Sequence, residues 1–283
     1  MNTPKAVILD VDGVITGSKR GYNSPNPHLD VINKLKELNA SGIKVSLNTG
    51  KPAFGMEKIV RDCDLDNMHG ADGGGQVFNP LNGKYLSINS IPTQDVLTIA
   101  EKLSENSCYF EIYTTDKYFV EESNQSDITE MHAEVIHREP ELVSDILDTI
   151  NNTKVVKLLA VAKSDEEREE IKKIIVGSNA DVKLSWGTHP QTAPLQYGVT
   201  TRKGISKESG AREILEYSNI KFEETLGVGD SMHDWQFIEH CGFKATLANA
   251  SDEMQQTVKS AGGYIGPDID ENGILDILKY FGL

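Results

Sequence analysis

Cysteine is scarce in this chain of 283 residues, and basic side chains are outnumbered. Cys63, Cys108 and Cys241 are odd in number and far apart, with no CxxC pair and no Cys/His ligand spacing. A disulfide framework and a zinc ribbon are therefore excluded, and the thiols read as reduced core residues of an intracellular protein. Lys and Arg total 28 against 43 Asp and Glu, a formal net charge of −15. Nucleic-acid backbones and anionic membranes need a basic surface, so neither is an expected partner. A small anionic substrate is still allowed, because a few cations, a metal and backbone N–H groups suffice to hold one. No apolar stretch approaches the ~20 residues that span a bilayer. The opening Met-Asn-Thr-Pro-Lys-Ala carries no signal-peptide pattern. No internal repeat is visible. The expectation is a cytoplasmic globular protein of one large domain or two ordinary ones, with its oligomeric state left open.

What is present is strand–helix alternation at both ends of the chain. Ala6-Val7-Ile8-Leu9 is a continuous apolar run that stops at Asp10, as a strand buried on both faces would. Leu29, Ile32, Leu35 and Leu38 follow at helical spacing, with Gly42 as a stop, and Ile43–Leu47 is the next strand. Past residue 200 a helix over Gly210–Tyr217 precedes a strand at Thr225–Val228, then a short helix, a strand at Phe243–Leu247 and two more helices. Asn272 is placed to cap the last of these. The middle reads as an α+β unit around an antiparallel sheet, with residues 122–150 as its solvated surface. The expected fold is α/β. A doubly wound, mostly parallel Rossmann-like core is built from residues 1–83 and 199–283 and interrupted by an α+β domain over 84–198.

Ligands of such sheets bind beyond the carboxyl ends of the strands. Asp10-Val11-Asp12-Gly13 puts two carboxylates just past the first strand, one able to act as nucleophile and one as proton donor. Asn48-Thr49-Gly50-Lys51 offers a hydroxyl and backbone N–H groups at a strand-to-helix turn, as a phosphate oxygen requires. Gly229-Asp230-Ser231-Met232-His233-Asp234 spaces two acids that suit Mg²⁺. Lys207 is a point cation suited to a phosphate and a carboxylate. Each has a plainer alternative taken alone. DxDG occurs in ordinary and calcium loops, Thr49 and Asp234 can cap helices, and isolated lysines are mostly solvated.

The ordered set resembles the haloacid dehalogenase-like phosphohydrolases: strand-DxDG, strand-Thr-Gly, Lys, strand-GDxxxD, then Asn249-Ala250 behind a further strand. The insertion between the threonine and lysine motifs is the position of that superfamily's C2-type cap. One helix and one strand separate Lys207 from Asp230, as in the Cof-like branch, subfamily IIB. Asp72-Gly73-Gly74-Gly75 resembles that branch's Glu-Asn-Gly-Gly turn. The departures are Val14 for Thr, Lys51 for Arg, Glu208 for Gly, His233 for Asn, Gly73 for Asn and Ala248 for Gly. Lys203, also in a Lys-Gly pair, is the alternative to Lys207.

The resemblance implies a Mg²⁺-dependent phosphatase acting on a small phosphorylated metabolite, such as a sugar phosphate or phosphoglycolate. Asp10 would form an aspartyl-phosphate, and Asp12 would serve as acid and then base. Thr49, Gly50 and Lys207 would hold the phosphoryl group. Asp10, Asp12 through its carbonyl, Asp230 and Asp234 would serve the metal. The cap would choose the leaving group, with Trp186 and His189 as candidates for contact with it. The same residues also suit a sugar phosphomutase, and a catalytically silent binding module is the reading from a different class.

Overall fold

The structure, a computed structural model, describes residues 3–188 and 192–283. The chain divides into two compact units, Met1–Ser87 with Ser206–Leu283, and Ile88–Ile205. The first opens with β1 (Ala6–Leu9), α1 (Leu29–Ala40), β2 (Lys44–Leu47), α2 (Glu57–Asp62), β3 (His69–Ala71), β4 (Gln76–Asn79) and β5 (Lys84–Ile88). The second holds α3 (Thr93–Glu105), β6 (Tyr109–Tyr113), β7 (Tyr118–Glu121), α4 (Asp127–Ile136), β8 (Glu141–Val143) and α5 (Ile146–Asn152). It continues with β9 (Lys157–Ala162), α6 (Asp165–Gly177), β10 (Val182–Thr188) and β11 (Gln196–Arg202). The first unit then resumes with α7 (Lys207–Ser218), β12 (Thr225–Val228), α8 (Met232–Ile238), β13 (Phe243–Leu247), α9 (Asp252–Ser260), β14 (Tyr264–Gly266) and α10 (Gly273–Tyr280).

Five parallel strands in the order β14-β13-β12-β1-β2 form the main sheet. The apolar run of β1 explains its central place. Val7 and Leu9 face one core with residues of α1, α2 and α10, whereas Ala6 and Ile8 face another with residues of α7, α8 and α9. Side chains of a strand alternate between faces, so a strand covered on both sides must be apolar throughout. The sheet is doubly wound, as the sequence predicts.

The second unit carries a six-stranded sheet, β10-β11-β9-β6-β7-β8, antiparallel except for β7 with β8. Phe110 and Ile112 pack with residues of α3, α5 and α6. The alternate residues of β6 meet α4 instead. There Glu111 is fully buried and accepts hydrogen bonds from Tyr109 Oη at 2.9 Å and Tyr113 Oη at 2.5 Å. His132 Nδ1 lies 2.9 Å from both Glu111 oxygens. Burial alone would raise the Glu111 carboxyl. The charge and hydrogen bond of His132 and the two tyrosine hydroxyls outweigh it and hold the group below its ordinary range.

Helix α4 corrects the expectation that residues 122–150 are solvated surface. It buries Ile128, Thr129, His132 and Ala133, so half of its inward face is polar and satisfied by partners such as Glu111 and Tyr109. Hydrophobic periodicity cannot register a face of that kind. Asn272 does not cap α10 through its side chain, which instead donates to Tyr22 Oη at 2.9 Å.

Replacing Glu111 by Gln removes a buried charge partner and should lower stability by about 2–4 kcal/mol at neutral pH. The folded carboxyl titrates below the value of about 4.3 usual for an unfolded glutamate. Its contribution is therefore complete above that value and fades as pH falls through the folded one. Urea unfolding of wild type and Glu111→Gln from pH 7 downward should show a gap that closes at acid pH.

Candidate active site

β1 and β12 are neighbours, and the chain leaves them in opposite directions across the sheet. This is the topological switch point, where a crevice opens beyond the strand ends. The Asp10 N–H donates to the Val228 carbonyl at 3.0 Å, and the Asn48 N–H donates to that of Leu9 at 2.8 Å. The ends of β1, β12 and β2 are thereby locked side by side, each followed at once by a chemistry-bearing loop. After Asp10 the chain turns tightly, with the Val11 carbonyl accepting from the N–H groups of Ile15 and Thr16 at 3.0 and 2.9 Å. Gly13 sits in this turn at φ +74°, and a Cβ there would lie 2.0 Å from Asp230 Oδ2. Glycine is required both by the backbone and by the acid packed against it.

Lys207 is the first residue of α7, whose cap, Ser206, accepts from the Ser209 N–H. Its ammonium is buried 3.0 Å from Asp10 Oδ1 and 2.5 Å from Asp234 Oδ1. The other Asp234 oxygen accepts from the N–H groups of Asp230 at 3.2 Å and Ser231 at 3.0 Å, and from Ser231 Oγ at 2.7 Å. Asp234 is thus a fully engaged strut that fixes the Asp230 loop and Lys207 at once. Gly229 makes room for it, since a Cβ there would lie 2.2 Å from that of Asp234.

Burial first, then Asp234 and Asp12 against the opposing pull of Lys207, pushes Asp10 up to about 6. Burial, Asp10 and Asp234 push Asp230 up to about 7. Lys207 is held protonated above its ordinary value because the two aspartates outweigh its own burial. Oxygens of Asp10, Asp230 and Asp234 all lie within 4.8 Å of one another. Asp10 Oδ1 is buried and, despite its ion pair with Lys207, takes no hydrogen bond of good geometry. An all-oxygen cluster whose acids repel one another in the absence of a further cation suits a hard divalent ion.

Asp12 is different. Its side chain is 60% exposed and is held through Oδ1 by Thr16 Oγ1 at 3.1 Å and Lys51 Nζ at 3.0 Å. Thr49 is buried, its N–H donating to the Gly70 carbonyl at 3.0 Å and its Oγ1 accepting from the Lys51 N–H at 3.2 Å. Gly50 is exposed beside it, with nothing within 4 Å of where a Cβ would stand. Asp10, Asp12, Thr49, Gly50, Lys207, Asp230 and Asp234 therefore all belong to the first unit, at or just beyond the ends of β1, β2 and β12 or at the start of α7. Lys203 lies in the second unit, and Lys207 is the lysine that reaches Asp10. Trp186 lies on β10 in the second unit, its ring against Gly198 and under Arg168. His189 is outside the described residues.

Sequence reasoning passed over three supporting residues. Thr16 carries no spacing signal, and Asn48 reads as part of a turn. His69 is buried, with Nδ1 accepting from the Leu47 N–H at 3.0 Å and Nε2 3.0 Å from the Leu65 carbonyl. Burial pushes it down to about 4, so it holds the end of β2 as a neutral ring.

A doubly wound sheet with acids and a buried lysine gathered at its switch point places them where α/β proteins bind their ligands. A profile of the haloacid dehalogenase-like hydrolases matches residues 7–278. The phosphoglycolate phosphatase of Methanothermobacter thermautotrophicus is 36% identical over 281 residues, 98% of each chain. Phosphatase YwpJ of Bacillus subtilis is 20% identical, over 98% of this chain and 99% of its own. A haloacid dehalogenase-like hydrolase from Bacteroides thetaiotaomicron superposes with a TM-score of 0.81 at 20% identity, covering 98% of this chain and 99% of that one. The subclass IIB sugar phosphatase BT4131 gives a TM-score of 0.76 at 22% identity over 98% of each chain. The chain belongs to the haloacid dehalogenase-like hydrolases and is a phosphatase. Phosphatases of this family generally use a divalent metal and act on small phosphorylated substrates. Among the described residues, no helix is long and apolar enough to cross a membrane.

A divalent cation bound among these acids would relieve their repulsion and so stabilise the fold by mass action. At a hundredfold excess over its dissociation constant the gain is about 2.7 kcal/mol. Adding MgCl₂ to metal-free protein should raise Tm by several degrees in differential scanning calorimetry. Asp230→Asn should lose most of that rise.

Proposed function

We propose that this phosphatase is a Mg²⁺-dependent phosphomonoesterase that works through an aspartyl-phosphate at Asp10, with 2-phosphoglycolate as its substrate. The observation that carries the reading is the buried Lys207 ammonium, in contact with both Asp10 and Asp234 beside Asp230. The name of the 36% identical relative supports the choice of substrate.

Asp10 attacks phosphorus as the ester P–O bond breaks, and the leaving alkoxide takes the proton of Asp12. Asp12 then removes a proton from water. The water oxygen attacks phosphorus, releasing inorganic phosphate and restoring the Asp10 carboxylate. Thr16 and Lys51, both on Asp12 Oδ1, keep its carboxylate in reach of the leaving oxygen. Thr49, the Gly50 N–H and Lys207 take up charge on the phosphoryl oxygens. Asp10, the Asp12 carbonyl and Asp230 would hold the Mg²⁺, which supplies neutralisation of the charge brought together by Asp10 and the phosphate. Asp234, both of whose oxygens already accept hydrogen bonds, serves by holding Asp230 and Lys207 in place.

Phosphate release should be measured with Mg²⁺ on 2-phosphoglycolate, a panel of sugar phosphates and p-nitrophenyl phosphate. Asp10→Asn should lower kcat at least about a thousandfold, and Lys207→Met about 10²–10³-fold. Release that persists in Asp10→Asn would remove Asp10 as nucleophile. A bisphosphate requirement with sugar isomerisation would point to a phosphomutase instead.

A further inference from the structure

Lys207 reaches the site at the very start of a segment. The second unit ends at Ile205, and α7 begins at Lys207. Asp10 and Thr49 lie on the other stretch of chain, before the insertion. The capping of α7 by Ser206 orders its first turn internally, but a cap does not register the helix against β1 and β2.

Asn48 supplies that register. It follows β2 and is fully buried. Its own N–H donates to the Leu9 carbonyl, one residue before Asp10, and the next residue is Thr49. Its side-chain Nδ2 donates 2.8 Å to the Lys207 backbone carbonyl. The amide orientation follows from that partner, because only a nitrogen donates to a carbonyl. Two glycines make space for the side chain. A Cβ on Gly70 would lie 2.3 Å from Asn48 Oδ1, and one on Gly210 would lie 3.2 Å from it. Among the described residues, Asn48 Oδ1 has no hydrogen-bond partner. A buried acceptor left idle is destabilising, so stability alone is a poor reason for an amide here. A small apolar residue would fill the space without that cost.

We infer that Asn48 is a positioning residue that fixes Lys207 relative to Asp10 and the Thr49 loop, and so aligns the phosphate-binding groups of the two chain segments. The inference rests on the role given to Lys207 under the proposed function. Misplacement of a charged group by a fraction of an ångström is felt in the transition state more than in the bound substrate.

The test is steady-state kinetics on Asn48→Ala, Lys207→Met and the double variant, with folding checked by near-ultraviolet circular dichroism. Asn48→Ala should lower kcat about 10–100-fold with KM within about threefold of wild type. In the Lys207→Met background the same change should cost less than about threefold, because the group it positions is gone. Gly210→Ala presses on the same contact from the opposite side and should give a smaller kcat loss, also absent in the Lys207→Met background. It keeps the idea testable if Asn48→Ala does not fold. Equal kcat losses in both backgrounds, or loss confined to KM, would overturn the inference while leaving the proposed function intact. An unchanged kcat in Lys207→Met alone would overturn both, and Asp10→Asn would then show whether the nucleophile still stands.

Discussion

One buried ammonium organises the catalytic end of the first unit. Lys207 sits between Asp10 and Asp234 in a place where three aspartates have oxygens within 4.8 Å of one another. Without it, carboxylates at the switch point would repel and take up protons. With it, Asp234 stays engaged and the Asp230 loop has a fixed base. The nearby glycines follow from the same crowding. Gly13 yields to Asp230, and Gly229 yields to Asp234. The constraint leaves no room for a Cβ at either position.

Much of this was legible in the sequence, for identifiable reasons. β1 is buried on both faces and therefore had to be written as an unbroken apolar run. The acids had to follow strand ends, because that is where a parallel sheet opens. Asp10, Asp12, Asp230 and Lys207 could be assigned to one site through the family resemblance that their order along the chain carries. Helix α4 was not legible, since its buried face is half polar and is satisfied by Glu111 and Tyr109. Asn48 was hidden for a related reason. Its meaning lies in a backbone carbonyl far along the chain, and no local pattern announces such a partner.

The net charge of −15 describes the surface more than the site. The acids that matter are balanced locally by a lysine, and in the reading advanced above by a metal. Two carboxylates in the same loop live under opposite conditions. Asp10 is buried and raised toward neutrality, whereas Asp12 is largely exposed and held by Thr16 and Lys51. In the proposed mechanism that difference in environment is what would separate a nucleophile from a proton carrier, although both are aspartate.

The strand order has a consequence for how the molecule comes into being. β1 is the first strand of the chain, yet one of its two partners in the sheet is β12, which begins at Thr225. A ribosome must therefore deliver the whole insertion before that edge of β1 is covered and before Lys207 and Asp230 can meet Asp10. Pairings so distant along the chain carry a large loop-closure cost and form slowly. Until β12 emerges, one edge of β1 stays unpaired and the groups gathered around Asp10 stay apart.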